Sequence, residues 1–373
     1  HYYIENDLIV QEVTKSSEIE PIETAKIYYL QSDDFRIILP LESSTMAKSS
    51  NDIAKLFIWF PLLGTESWGT NFIYHSSFYP LEKRNGMYLP CDNPNVQRKF
   101  EYNVAVLKKM NALLFDYLRT HARLIDNSIE LAKVDFLNHI VDDVKTKDFY
   151  KYQQEIWTKV FRSLPLIETP KGRKSLDDGV KIPDAEICSF FTDEDKNNKY
   201  FDAFYEYASA EPATLPNKDI CLKWANIIHQ WGLTDESQHE ISLADVAQKV
   251  TTNKSFEKLH NLLEIIKEIK QTKLFETMAL IPNRKGELRT TLNLCNGKNI
   301  PEELYKRSLS ICPTDIDKLV NPDFSDIYSL NEYTRDQLRL AVNNANDCIK
   351  TSTIRIGKCF STEYTSALRV FAS

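Results

Sequence analysis

A histidine beside two serines, His75-Ser76-Ser77, is the nearest approach in this sequence to a nucleophile with its general base. Its setting works against that chemistry. The stretch from Asn71 to Phe78 reads as a strand, on which neighbouring side chains point to opposite faces, and no strained Gly-x-Ser-x-Gly turn presents a hydroxyl. His229 falls on an apolar helix shortly after Trp224, where a satisfied, partly buried histidine is expected and a ligand is not. There is no HExxH or similar i, i+4 pair of histidines, so a metal site would have to be assembled from residues far apart in sequence. Lys171-Gly172-Arg173-Lys174 is a basic cluster that could touch a phosphate from a hairpin tip, but without interleaved aromatics it is a weak nucleic-acid signal.

Phosphate-cradling loops need glycines, because the backbone must adopt positive φ and come close to the ligand. Nine glycines in 373 residues fall well below the usual share of about 7%. None of the patterns GxGxxG, GxxxxGK[ST], DxGxG or GxxGxG occurs. The net charge of −7 argues against a dedicated nucleic-acid binder, and nucleic acid is not an expected partner. Seven dispersed cysteines without a CxxC pair fit reduced thiols in the cytoplasm and neither a disulfide framework nor a zinc site. The most apolar run, Leu56 to Leu63, is too short to span a bilayer, so no membrane partner is expected.

The elements that must position any site change character along the chain. With 42% hydrophobic residues, 19 Phe and 18 Tyr, it can build real cores, and its length suits two or three domains. The first part is β-rich. Ala25–Leu30 and Phe35–Leu39 flank Ser32-Asp33-Asp34 as a hairpin, and Leu56–Phe60, ending at Pro61, reads as a strand buried on both faces. At Cys91-Asp92-Asn93-Pro94 the pattern turns helical, with Asp92 or Asn93 as N-cap and Pro94 in the first turn. Helices are expected at about 94–121, 126–143, 147–163, 217–231, 254–271 and 330–350. Charge runs such as Asp193-Glu194-Asp195-Lys196 read as solvated faces and loops. Two similar stretches interrupt the helices, near 164–183 and 278–301, each reading as strand, Lys-Gly turn, short strand and a Pro-led connection. The expected fold class is therefore α+β: an N-terminal β-rich α/β domain over 1–92, then a mainly helical region over 93–373 with two inserted β-hairpins.

The most distinctive residues are Phe60-Pro61-Leu62-Leu63-Gly64-Thr65-Glu66 followed by Phe78-Tyr79-Pro80-Leu81-Glu82-Lys83-Arg84-Asn85-Gly86-Met87-Tyr88-Leu89. This pair resembles the "FPL-x-GTE … F-x-P-x-E-x-R-x-G-I-x-L" segment of sacsin-like bacterial proteins. These are relatives of the Bergerat-fold, heat-shock-ninety-like ATPases. Leu280-Ile281-Pro282-Asn283-Arg284-Lys285-Gly286 is similar to that family's "IPNQNG" hairpin. The resemblance places this sequence downstream of an ATP-binding domain, as a fragment of a longer protein. A start at His1-Tyr2-Tyr3, directly in strand-like sequence, fits that expectation. It also implies that Arg84 is the arginine that reaches across to the γ-phosphate, where a guanidinium can neutralise developing charge without losing its proton. The plain alternative makes Arg84 a turn residue pairing with Glu82 or Glu66 or capping a carbonyl, and Glu66 itself reads more readily as a turn or cap residue than as a general base.

The expected function is that of a non-catalytic fragment of an ATP-binding, chaperone-like protein, coupling an upstream ATPase domain to an unknown client or protein partner. The alternative is a scaffold or interaction module without any link to ATP. No cofactor is expected in the fragment itself; ATP and Mg²⁺ are expected for the parent protein.

Overall fold

The computed structural model describes residues 2–15, 23–48, 50, 52–251 and 255–356. It is a mixed α+β structure, as the residue patterns indicate: a six-stranded mixed sheet is followed by a largely helical region carrying small two-stranded sheets. The chain folds into two compact units, His1–Cys188 with Glu211–Glu240, and Ser189–Ala210 with Ile241–Ser373.

In the first unit, β1 (Tyr2–Glu5), β2 (Leu8–Lys15), β3 (Glu23–Gln31) and β4 (Phe35–Leu39) form an antiparallel meander. Two short strands, β5 (Leu41–Glu42) and β6 (Thr45–Met46), pair beside it. β7 (Leu56–Phe57) and β8 (Ile73–Ser76) complete the large sheet in the order β1-β2-β3-β4-β8-β7, with β7 parallel to β8. On β4 the alternation is clean, with Phe35, Ile37 and Leu39 buried and Arg36 exposed, so one face of the sheet is committed to the core.

Helix α1 (Gln97–His121) covers that face. Asn93 caps the short 3-10 turn before it by accepting from the Asn95 amide, with Pro94 in the first turn as expected. Val106, Leu107, Met110, Leu114 and Leu118 recur at helical spacing and are all buried. Each such aliphatic side chain contributes roughly 2 kcal/mol by leaving water. Helix α3 (Val144–Ser163) starts at Asp143, whose carboxylate accepts from the Thr146 amide, and it brings Trp157 into the same core. Trp157 stacks on Phe72, meets the edge of Phe115 and touches Phe161, which in turn lies beside Trp231.

Two expectations fail here for a shared reason. The run Leu56–Phe60 is not a strand buried on both faces. Pairing stops at Phe57, the Ile58 amide donates to the Phe60 carbonyl, Leu62 returns to Leu56, and Trp59 is left 92% exposed. The helix expected at 126–143 shrinks to α2 (Ser128–Leu131), entered through Asn127 at φ 56°. Beyond it, Val134 bridges to Thr70, the Asp135 amide donates to Gly69 and the Phe136 amide to Gln154 Oε1. In both places the amides that a regular strand or helix would have used are taken by other partners, in a local fold-back at 58–62 and in tertiary contacts at 135–136.

The first inserted hairpin is present as β9 (Ile167–Thr169) and β10 (Gly172–Lys174), turning at Gly172 with φ 95°. It leads to β11 (Ile182–Pro183) and then to α4 (Ala185–Phe190). Helix α5 (Glu194–Ala208) begins in the charge run 193–196; Asp193 caps it, with Glu194 and Asp195 in the first turn. Helix α6 (Cys221–Trp231) ends at Gly232 in the left-handed conformation.

Within the second unit, α5 packs on α7 (Phe256–Glu268), with Leu259, Leu262, Leu263 and Ile266 forming the stripe expected from their spacing. Lys258 bridges Asp202 and Glu206 across this pair. The second hairpin joins Ile281–Pro282 to Leu288–Arg289 and turns at Gly286 with φ 83°. Asn283, fully buried, holds that turn by accepting from the Lys285 and Glu287 amides. The last helix described is Arg335–Ile356.

Candidate functional site

The two motif segments come together. Gly64, at φ 101°, lies so close to the neighbouring loop that a Cβ there would stand 2.9 Å from the Asn85 carbonyl oxygen. Thr65 ties the first loop into a knot. Its buried hydroxyl donates to the Leu62 carbonyl at 2.8 Å and accepts from the amides of Lys55 and Leu56 at 3.2 and 3.1 Å. Glu66 accepts the Gly64 amide at 3.0 Å, so it caps the turn. In the second loop Leu81 and Gly86 close the turn, and Pro80 bridges to Met87.

Arg84 sits at the tip of this turn in the left-handed region, φ 55°, and is exposed. Its guanidinium lies 4.9 Å from the centre of the Phe60 ring, a cation–π contact joining the two motif segments. Neither Glu82 nor Glu66 pairs with it among the described residues. Trp59 and Leu63 extend an exposed apolar surface from the same loop.

The residue that pins the Arg84 loop carries no sequence signature. Asn103 of α1 is fully buried; its Oδ1 accepts the Tyr79 amide at 2.8 Å, and its Nδ2 donates to the carbonyls of Tyr79 and Tyr88 at 3.0 and 2.9 Å. Gln154 does the same for the loop after α2, accepting from Phe136 and donating to the carbonyls of Gln230 and Trp231. A lone buried amide among helical polar residues is legible only once the strand ends it satisfies are known.

The other candidates are taken up by structure. His75 packs against Trp59, and burial, followed by the Arg36 charge, holds it below the ordinary histidine range. Ser76 donates to the Asp34 carbonyl and Ser77 meets the Tyr102 hydroxyl, so neither serine is served by His75. In the basic hairpin tip, Lys171 pairs with Glu211, and Arg173 is engaged by Glu168, Asp126 and two carbonyls, so two of the three cations already have partners. A groove of about 1240 Å³ runs along α3. Its Thr158 and Ser163 hydroxyls return to their own helix and Arg162 is bound by Asp177 and Asp235, so these polar groups do not converge on a reacting centre. The buried thiols of Cys188 and Cys221 are pushed up by burial, the former to about 12, which makes them poor nucleophiles. Cys359 lies outside the described residues.

Among the described residues no helix is long and apolar enough to cross a membrane. Comparison with protein-family models, with curated proteins and with solved structures finds no match to this chain.

Thr65→Val should cost about 1–2 kcal/mol, because it leaves the buried Leu56 amide without its partner, while the Lys55 amide and the Leu62 carbonyl keep their bonds to the Thr65 backbone. Urea denaturation followed by tryptophan fluorescence checks this; a change below about 0.5 kcal/mol would mean the loop is held some other way.

Proposed function

We propose that this chain is the transducing segment of a sacsin-like, heat-shock-ninety-like ATPase, in which Arg84 reaches the γ-phosphate of Mg²⁺-ATP held by an upstream domain. The observation that supports this most is the use made of the motif. Gly64, Thr65 and Glu66 are consumed in shaping the two loops, while Arg84 is left exposed, without a carboxylate and steadied on Phe60. An arginine held in place but uncompensated is what a cross-domain phosphate contact requires, since a fixed guanidinium stabilises charge in the transferring phosphoryl group. The exposed Trp59 and Leu63 beside it supply apolar area for docking such a domain. In this reading the helical remainder engages a client or partner and carries the movement that hydrolysis drives.

The test is ATP turnover by the natural full-length polypeptide, wild type against Arg84→Ala, with ATP affinity measured alongside. Turnover is expected to fall at least about tenfold while ATP still binds, since a contact made in the transition state lowers kcat without removing ground-state affinity. Full-length protein that hydrolyses no ATP, or an Arg84→Ala variant with unchanged turnover, would instead favour an interaction module. The exposed Trp59 surface would then be its partner face.

A further inference from the structure

His229, in the last turn of α6, is joined by two carboxylates from the segment that follows the Gly232 cap. Its Nε2 lies 3.1 Å from the Pro183 carbonyl oxygen, which can only accept, so the proton on that nitrogen is fixed. Nδ1 therefore carries a lone pair in the neutral ring, and this atom faces acid. Glu236 Oε1 is in direct contact with it and Glu240 Oε1 lies 3.7 Å away. All three ligand atoms lie within 4.8 Å of one another and all three residues are partly buried. Among the described residues neither carboxylate meets a lysine or arginine, and Asp184 adds further negative charge beside Glu240. Two carboxylates facing one imidazole nitrogen call for a positive charge between them, which either a proton on Nδ1 or a bound cation supplies.

We propose that His229, Glu236 and Glu240 bind a borderline first-row divalent cation of the Zn²⁺ class, with water completing its coordination. One imidazole and two carboxylates suit Zn²⁺ or Mn²⁺ better than Mg²⁺ or Ca²⁺, which take oxygen alone. The Nε2–H bond to a backbone carbonyl is the outer contact that orients a metal-binding histidine and fixes its tautomer. The C-terminal end of α6 adds its partial negative charge. Bonds of about 2.0–2.1 Å at tetrahedral angles place ligand atoms about 3.3 Å apart, so the Glu240 oxygen is nearly placed and Glu236 need only draw back from its direct contact. A second triad, His260, Glu264 and Asp326, lacks this demand: Glu264 is already held by Lys267 at 3.1 Å and Asp326 is exposed.

The experiment is titration of EDTA-stripped full chain with Zn²⁺ by calorimetry, and with Co²⁺ by visible absorption. Wild type should bind one equivalent, with a four- or five-coordinate Co²⁺ spectrum. The near-isosteric Glu240→Gln and Glu236→Gln should each weaken binding at least about tenfold, and His229→Gln about 100-fold or more; even outer contacts change affinity by about 10–100-fold. His260→Gln should leave the equivalent in place. Absence of binding by wild type, or undiminished binding in a folded Glu236→Gln/Glu240→Gln variant, would overturn the site and leave an imidazolium clamped by two carboxylates. None of these outcomes depends on ATP turnover.

Discussion

Replacing Asn103 by Leu should destabilise the first unit by about 3 kcal/mol. One side-chain amide satisfies three backbone groups, the Tyr79 N–H and the carbonyls of Tyr79 and Tyr88, from a fully buried position on α1. Each net hydrogen bond is worth about 1 kcal/mol, and leaving the Tyr79 N–H and the Tyr88 carbonyl unpaired adds desolvation cost, while the Tyr79 carbonyl keeps the Tyr88 amide. Leucine fills the volume, so the loss is polar and leaves no cavity. For a unit of this size the melting temperature should fall by roughly 6–12 °C. Asn103→Asp should be at least as damaging at neutral pH, because a carboxylate would confront two carbonyl oxygens. Its folded-state pKa would be raised above the unfolded value, so the penalty is present above that raised pKa and shrinks as pH falls through it. Thermal melts of the three proteins from pH 8 to pH 5 check both statements. A loss below about 1 kcal/mol for Asn103→Leu would show that the hairpin carrying Arg84 does not depend on this amide.

What could be read in advance follows from where the decisive interactions lie. Helices α1, α3, α6 and α7 bury stripes spaced by three and four residues, so their cores are written in local sequence. The hairpin between β3 and β4, and both Lys-Gly hairpins, are likewise local, their turns set by residues within a few positions. The failures are equally specific. At Trp59–Pro61 the chain folds back to bond Leu62 to Leu56, and at 134–136 successive amides bond to Gly69 and Gln154; neither event leaves a periodic trace. Two elements did leave signals. Asn6 and Asp7 both take positive φ in the turn between β1 and β2, a residue pair suited to that turn. Asp193 before two acids is a helix start, although the charges read as solvated faces and loops.

The candidate site divides along the same line. Arg84 is singled out only by the resemblance of its segment to the sacsin-like motif, and its surroundings were not legible in the sequence. Its lack of an acid partner, its seat on Phe60 and the Asn103 clamp beneath it all depend on chain segments meeting in space. The His229 cluster shows the reverse case. Histidine and glutamates seven and eleven positions apart match no helical ligand spacing, and only the reversal after Gly232 brings them together.

Gly69→Ala should be among the most damaging single substitutions in the chain, costing about 4 kcal/mol. Two independent terms contribute. Gly69 has φ 108°, which strains any residue with a Cβ by about 1–3 kcal/mol. The new methyl would also lie 2.6 Å from Cδ1 of the Phe136 ring, a distance that forces movement. Phe136 has little room to yield: it is 1% exposed, meets the edge of Trp68 and stacks near Tyr150, and its own amide is held by Gln154. Overpacking a core of this kind typically adds a further ~1–3 kcal/mol. Gly172 separates the two terms. It has a similar φ of 95°, but nothing lies within 4 Å of a Cβ built there. Gly172→Ala should therefore cost only the backbone term, about 1–2 kcal/mol. Phe136→Leu should recover part of the Gly69→Ala loss by giving the methyl space, although it carries its own packing cost. Urea denaturation of the two alanine variants and the double variant measures each difference. Equal losses at Gly69 and Gly172 would mean that the Phe136 ring relaxes freely, and that the contact between residue 69 and the loop after α2 does not hold that loop in place.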